Sequence, residues 1–144
     1  MKKLKLEGNT IGATKKNLEK LSEALKKNKS LKVLDLGFNR LGDDGIKILC
    51  KGFKENTSLQ QLTMLGNDIG DKGAEEIGEA LKSNRTLQLL ILRFNNISDK
   101  GAMNLVKALK SRGIPTALGL GCNKIENKQA LLEACDDNIG LYLD

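Results

Sequence analysis

The chain repeats itself every 28 residues, and that period restricts it to very few folds. Leu31, Leu34, Leu36, Asn39 and Leu41 follow the spacing L-x-x-L-x-L-x-x-N-x-L. One step of 28 lands on Leu59, Leu62, Met64, Asn67 and Ile69. The next lands on Leu87, Leu90, Leu92, Asn95 and Ile97, and a third on Pro115, Leu118, Leu120, Asn123 and Ile125. Upstream, Leu4, Leu6, Asn9 and Ile11 fit with a step of 30. Leu141-Tyr142-Leu143 resembles the next strand after a shortened helix. A fixed period of this length marks a stack of supersecondary units, none of which can bury its own apolar face alone. The 144 residues read as a single domain with units of about 1–30, 31–58, 59–86, 87–114 and 115–137, and a terminal strand fragment, 138–144.

Each unit has two halves with different periods. Around Leu34 and Leu36, apolar residues alternate with Val33, Asp35 and Gly37, which predicts a short strand. Further on, Ala74, Ile77, Ala80 and Leu81, or Ala102, Leu105, Ala108 and Leu109, recur at helical spacing. Asp43, Asp71 and Asp99 stand where each unit's helix would begin, a position suited to capping free backbone N–H groups. Gly45, Gly73 and Gly101 follow two residues later and read as sites where helix and strand approach closely.

The asparagines at 9, 39, 67, 95 and 123 lie just past each predicted strand. Their regular spacing predicts a ladder of side-chain bonds to the backbone of neighbouring turns. Asn28, Asn56, Asn84 and Asn96 each begin an Asn-x-Ser/Thr sequence. The first three recur at the helix-to-strand turn, where local backbone bonds explain them better than glycosylation does.

Composition narrows the chemistry. Aromatic residues make up only 3% of the chain, so the core must come from Leu, Ile, Val and Ala. There is no His, which removes the commonest general base and a common metal ligand. Cys50, Cys122 and Cys135 are too few and too scattered for a disulfide framework or a zinc site. No cofactor, metal or catalytic residue is expected, and the protein is not expected to be an enzyme. Reduced thiols and an N-terminus without a signal-like apolar stretch suggest a cytoplasmic location, in a host cell if the protein is a delivered effector. No apolar run approaches the roughly 18 residues of a membrane span, so no membrane insertion is expected. The net charge is +6, yet Lys47, Lys51, Lys54, Lys72, Lys82, Lys100, Lys107 and Lys110 fall on the predicted helices and Glu75, Glu76 and Glu79 interrupt them. A solvated helical face accounts for them better than a nucleic-acid site, and no small-molecule substrate is implied.

The segment from Leu59 through Gln60, Gln61, Leu62, Thr63, Met64, Leu65, Gly66 and Asn67 to Ala74, then Ile77, Ala80 and Leu81, resembles the ribonuclease-inhibitor-like leucine-rich repeats. The resemblance spans nearly the whole chain. It implies an α/β solenoid, a short horseshoe with parallel strands on the concave side and helices on the convex side. It also implies a protein partner. Only scaffold positions match, so the resemblance assigns no functional residue.

Strand alternation selects the residues that face such a partner. Leu34, Leu36 and their equivalents point inward. The columns between them are Val33, Gln61, Leu89 and Ala117; Asp35, Thr63, Ile91 and Gly119; and Gly37, Leu65, Arg93 and Gly121. Leu65, Leu89 and Ile91 are apolar where the fold does not require it. With Phe38, Phe94, Asp35, Arg40 and Arg93 they form the candidate partner-binding set, since exposed apolar patches and aromatic–Arg pairs mark interfaces. The small residues Ala117, Gly119 and Gly121 suggest a shallow hollow beside this ridge. The expected function is protein binding through the concave face. The alternative is a GTPase-activating protein of the Ran-directed type, with Arg40 or Arg93 at the strand ends.

Overall fold

A computed structural model describes residues 2–144. Six short strands alternate with five helices. The strands are β1 (Lys3–Lys5), β2 (Val33–Asp35), β3 (Gln61–Thr63), β4 (Leu89–Ile91), β5 (Thr116–Gly119) and β6 (Ile139–Tyr142). The helices are α1 (Lys15–Lys27), α2 (Gly42–Phe53), α3 (Asp71–Ser83), α4 (Asp99–Arg112) and α5 (Lys128–Ala134), with a 3₁₀ turn at Ile11–Ala13. All strands pair in parallel and in chain order. Leu34 sits beside Leu62, Leu62 beside Leu90, and Leu90 beside Leu118. The 28-residue step of the sequence is therefore the register of the sheet, and the architecture is an α/β solenoid.

The core runs as one continuous cluster between sheet and helices. Leu34, Leu36, Leu62, Leu90, Leu92 and Leu118 enter it from the strand side, and Ile46, Ile77, Leu81, Leu105 and Leu109 from the helices. The lysines at 47, 51, 54, 72, 82, 100, 107 and 110 are all exposed on the helical side. Among the described residues, no helix is long and apolar enough to cross a membrane.

Two asparagine ladders tie the repeats together, one after the strands and one after the helices. In the first, the buried Asn67 Oδ1 accepts from the N–H groups of Asn39 (2.9 Å) and Leu41 (3.3 Å), while its Nδ2 donates to the Leu36 and Leu65 carbonyls. Asn95 does the same for Asn67 and Ile69. The ladder thus reaches back to the preceding repeat at each step. In the second, Asn56 Oδ1 accepts from the N–H groups of Ser58 and Leu59, and its Nδ2 donates to the Leu25 and Asn28 carbonyls. Asn84 repeats the pattern. Both amides are buried and fully used, which is why Asn-x-Ser/Thr recurs there. One further step of 28 falls on Arg112, also buried, whose Nη1 donates to the Asn84 carbonyl at 3.1 Å.

The aspartates depart from expectation. Asp71 and Asp99 are the first residues of α3 and α4, not caps before them, and none of Asp43, Asp71 or Asp99 caps its own helix. Each reaches forward instead. Asp43 Oδ1 accepts from the N–H groups of Gly70 (2.7 Å) and Gly73 (3.0 Å). Asp71 Oδ1 accepts from Ser98 and Gly101, and Asp99 from Glu126 and Asn127. Gly73 and Gly101 are small for the same reason. A side chain at either would collide with the incoming aspartate and with Ile69 or Ile97 of its own repeat, so the approach is close both between repeats and within one.

Candidate protein-binding face

The side of the sheet turned away from the helices is built by alternation alone. Leu90 and Leu92 are fully buried, while Leu89, Ile91 and Arg93 between them are half-buried. The same contrast separates Leu62 and Met64 from Thr63 and Leu65. Leu65, Leu89, Ile91 and Arg93 lie on neighbouring repeats of one face, while the column members Gly37, Gly119 and Gly121 are buried. Asp35 joins them, with its Oδ1 accepting from the Gly37 N–H at 3.0 Å.

Beyond the strands the chain turns sharply, and the backbone there is unusual. Gly8, Phe38, Gly66, Phe94 and Cys122, each just before a ladder asparagine, all have φ between 51° and 71°. Arg40 (φ 54°) and Asp68 (φ 57°), just after it, share that conformation. Glycine adopts it freely, but a phenylalanine there costs about 1–3 kcal/mol. Phe38 and Phe94 are nevertheless 50% and 53% exposed, so burial of their rings does little to offset that strain. The Phe38 ring rests against the neighbouring repeat, where a side chain on Gly66 would stand, so Gly66 is required by its neighbour.

The hollow expected at Ala117, Gly119 and Gly121 is filled. Ile91 Cδ1 comes within 3.0 Å of the position a Gly119 Cβ would take, and Arg93 Nε within 3.1 Å of that of Gly121. The small residues of β5 and its loop let the side chains of the preceding repeat lie down across them. Arg93 then stacks on its own neighbour, with Cζ 5.7 Å from the centre of the Phe94 ring. This is cation–π range. Arg40 remains exposed at the adjacent loop.

Alternation also places residues on this face that the sequence reading left out. Lys3 and Lys5 of β1 are exposed at one margin, and Tyr142 of β6, beside Gly119 in the sheet, is 63% exposed at the other. Extending the columns through the first and last strands would have found them. Gly8 and Gly66, at the same repeat position as Phe38 and Phe94, were the signal for the left-handed turn.

Among the described residues, no group of three or more His, Cys, Asp or Glu side chains could hold a metal ion. The face offers half-buried aliphatic side chains, exposed aromatics and a stacked arginine, which together suit recognition of another surface.

The repeat unit is itself a known one. Residues 27–50, 55–78 and 83–106, half of the chain, match the Leucine Rich repeat family, again at steps of 28. The chain belongs to the leucine-rich-repeat family. Similar solved structures include the leiomodin-1 actin-binding site 2, at 26% identity and a TM-score of 0.74, covering 93% of this chain and 76% of that one. The tropomodulin C-terminal domain of Caenorhabditis elegans shares the fold at 11% identity and a TM-score of 0.77, covering 96% and 81%. No curated protein matches by sequence. The leucine-rich-repeat solenoid is thus supported from sequence and from structure.

Proposed function

We propose that this protein is a non-enzymatic binding module that engages a partner protein through the outer face of its sheet, the concave side of a ribonuclease-inhibitor-like horseshoe. One observation carries the reading. Leu65, Leu89 and Ile91 hold apolar surface on that face, and Phe38 and Phe94 stay exposed beside it despite a strained backbone. The left-handed turn recurs in every repeat, and a phenylalanine where glycine fits without strain points to a role for the exposed ring. The likeness to a leiomodin region named for actin binding supports a protein ligand and makes actin the first defined probe. The mixed charge of the face, with Asp35 and Asp68 against Arg40, Arg93 and Lys124, argues against nucleic acid. Three unpaired thiols fit a reducing, cytoplasmic setting.

The test compares three proteins in actin co-sedimentation and in pull-downs from the native cell. The parent and a helical-side variant, Lys107→Glu with Lys110→Glu, should retain the same partner, and Ile91→Glu should lose it. Loss in the helical-side variant with retention in Ile91→Glu would move the interface to the helices. The GTPase-regulator alternative draws on Arg40, exposed on a left-handed turn, or on Arg93, half-exposed over Phe94. Unchanged hydrolysis rates across a panel of small GTPases would remove it.

A further inference from the structure

Arg93 is a cation without a counter-ion. Its Nε is buried and has no hydrogen-bond partner. Among the described residues it takes part in no ion pair, since the four present join other lysines to glutamates on the helical side. Asp35 accepts from the Gly37 N–H two repeats away, and the Asp144 backbone, packed against Gly121 beside Arg93, makes no ion pair or hydrogen bond with it. Elsewhere the guanidinium has apolar neighbours. Phe94 lies beneath it, Ile91 precedes it on the same face, and Leu65 flanks it in the neighbouring repeat, where the Gly66 N–H donates to the Arg93 carbonyl. Unlike Nε, its two Nη groups are not buried and make no hydrogen bond, so they remain open to a planar, bidentate acceptor. The best such acceptor is a carboxylate, and its bond strengthens where neighbouring apolar groups exclude solvent.

We propose that this point of the face receives an Asp or Glu side chain of a partner protein, flanked by large apolar residues that pack on Phe94, Ile91 and Leu65. The inference rests on the protein-binding reading above and names the chemistry of the segment bound. The apolar walls set its neighbours, and the exposed Phe38 ring, two strands or about 10 Å from Phe94, gives a second apolar foothold along the same row.

The probe is a phage-displayed random peptide library, panned on the immobilised full chain and counter-selected on Ile91→Glu, whose new carboxylate would itself occupy Arg93. Peptides specific for the parent should carry an acidic residue between large apolar ones. Changing that Glu to Gln in a synthetic peptide, or Arg93→Gln in the protein, should each weaken binding about tenfold or more. The two changes together should cost little more than either alone. Arg93→Lys should restore only part of the affinity. Urea midpoints of each variant show that the fold is retained, and the peptide substitution gives the same reading without touching the fold. Face-specific peptides without an acidic residue, or bound equally by Arg93→Gln, would overturn the inference and leave the binding-module reading standing. Peptides bound equally by Ile91→Glu, or no enrichment at all, would overturn both.

Discussion

The Asp71 carboxylate belongs to α3 yet serves the start of α4: its Oδ2 accepts the Ser98 hydroxyl at 2.6 Å and its Oδ1 accepts the Ser98 N–H at 2.9 Å. A helix N-terminus leaves several N–H groups without partners, and here the preceding repeat supplies the acceptor. Asp43 and Asp99 do the same one repeat earlier and later. These aspartate bonds at the helix starts therefore cross between repeats, and each makes stacking conditional on the correct neighbour.

The Asp71 contribution should depend on pH. Burial works against its charged form, but bonds from the Ser98 hydroxyl and from the Ser98 and Gly101 N–H groups, with the nearby Lys100 charge, outweigh it and hold the carboxyl below its ordinary value. A carboxyl depressed in the fold stabilises above its unfolded pKa and loses that contribution as pH falls through the folded one. Asp71→Ala should cost about 1–2 kcal/mol at pH 7 and progressively less below about pH 4. Urea midpoints of parent and variant at neutral and acid pH measure this. A deficit that stays constant into acid would mean the charged carboxylate is not what stabilises the junction.

The first ladder gives a stability test with an internal control. Asn67→Ala or Asn95→Ala removes acceptors from buried N–H groups of the preceding repeat, and each should cost about 1–3 kcal/mol. Asn9 is exposed and its amide serves only carbonyls of its own repeat, so Asn9→Ala should stay within about 0.5 kcal/mol. Equal midpoints for all three would show that the ladder does not stabilise the stack.

The periodic part of the structure was legible because each step of 28 residues returns the same side chain to the same environment. Leu90 and Asn95 need no knowledge of their neighbours to be placed, since alternation and the position after the strand suffice. What crosses between repeats was not legible in the same way. Asp71 has the identity of an N-cap, and nothing local says that its oxygen points toward Ser98 rather than back along α3. Likewise, Gly119 and Gly121 look like a hollow in one dimension and prove to be space for Ile91 and Arg93. On the face itself, strand columns gave Leu65, Leu89, Ile91 and Arg93. The strained exposure of Phe38 and Phe94 depends on a turn geometry that only the glycines at 8 and 66 hinted at.

Thiol chemistry should report the burial of the three cysteines separately. Burial, helped by the nearby Glu76 charge, pushes the Cys50 thiol up to about 12, so at pH 8 almost none of it is the reactive thiolate. Burial also raises Cys135, with Asp136 adding to it and Lys110 opposing. Cys122 is exposed on its turn. A thiol reagent at pH 8 should modify Cys122 first and Cys135 more slowly, and reach Cys50 only on unfolding, as mapped by peptide mass spectrometry. Three thiols should titrate in denaturant. Early modification of Cys50 would mean that α2 opens locally or packs differently.

Neighbouring residues of one repeat separate surface from core. Leu92 has no exposed area, and Met64 and Leu120 are the buried residues that occupy its place in the repeats on either side. Leu92→Glu would set a carboxylate among them without a partner, a cost most small domains cannot offset. The variant should therefore lose cooperative unfolding or stay unfolded at room temperature. Ile91 differs by one position and points the other way. It is half-buried, with Cδ1 resting over Gly119, so Ile91→Glu gives up some contact but buries no charge. Its cost should stay near about 1 kcal/mol, and Arg93 on the same face can pair with the new carboxylate. Circular dichroism and urea midpoints of the two variants decide the matter. A folded Leu92→Glu beside an unfolded Ile91→Glu would invert the facing of β4, and with it the assignment of Leu89, Ile91 and Arg93 to the binding face.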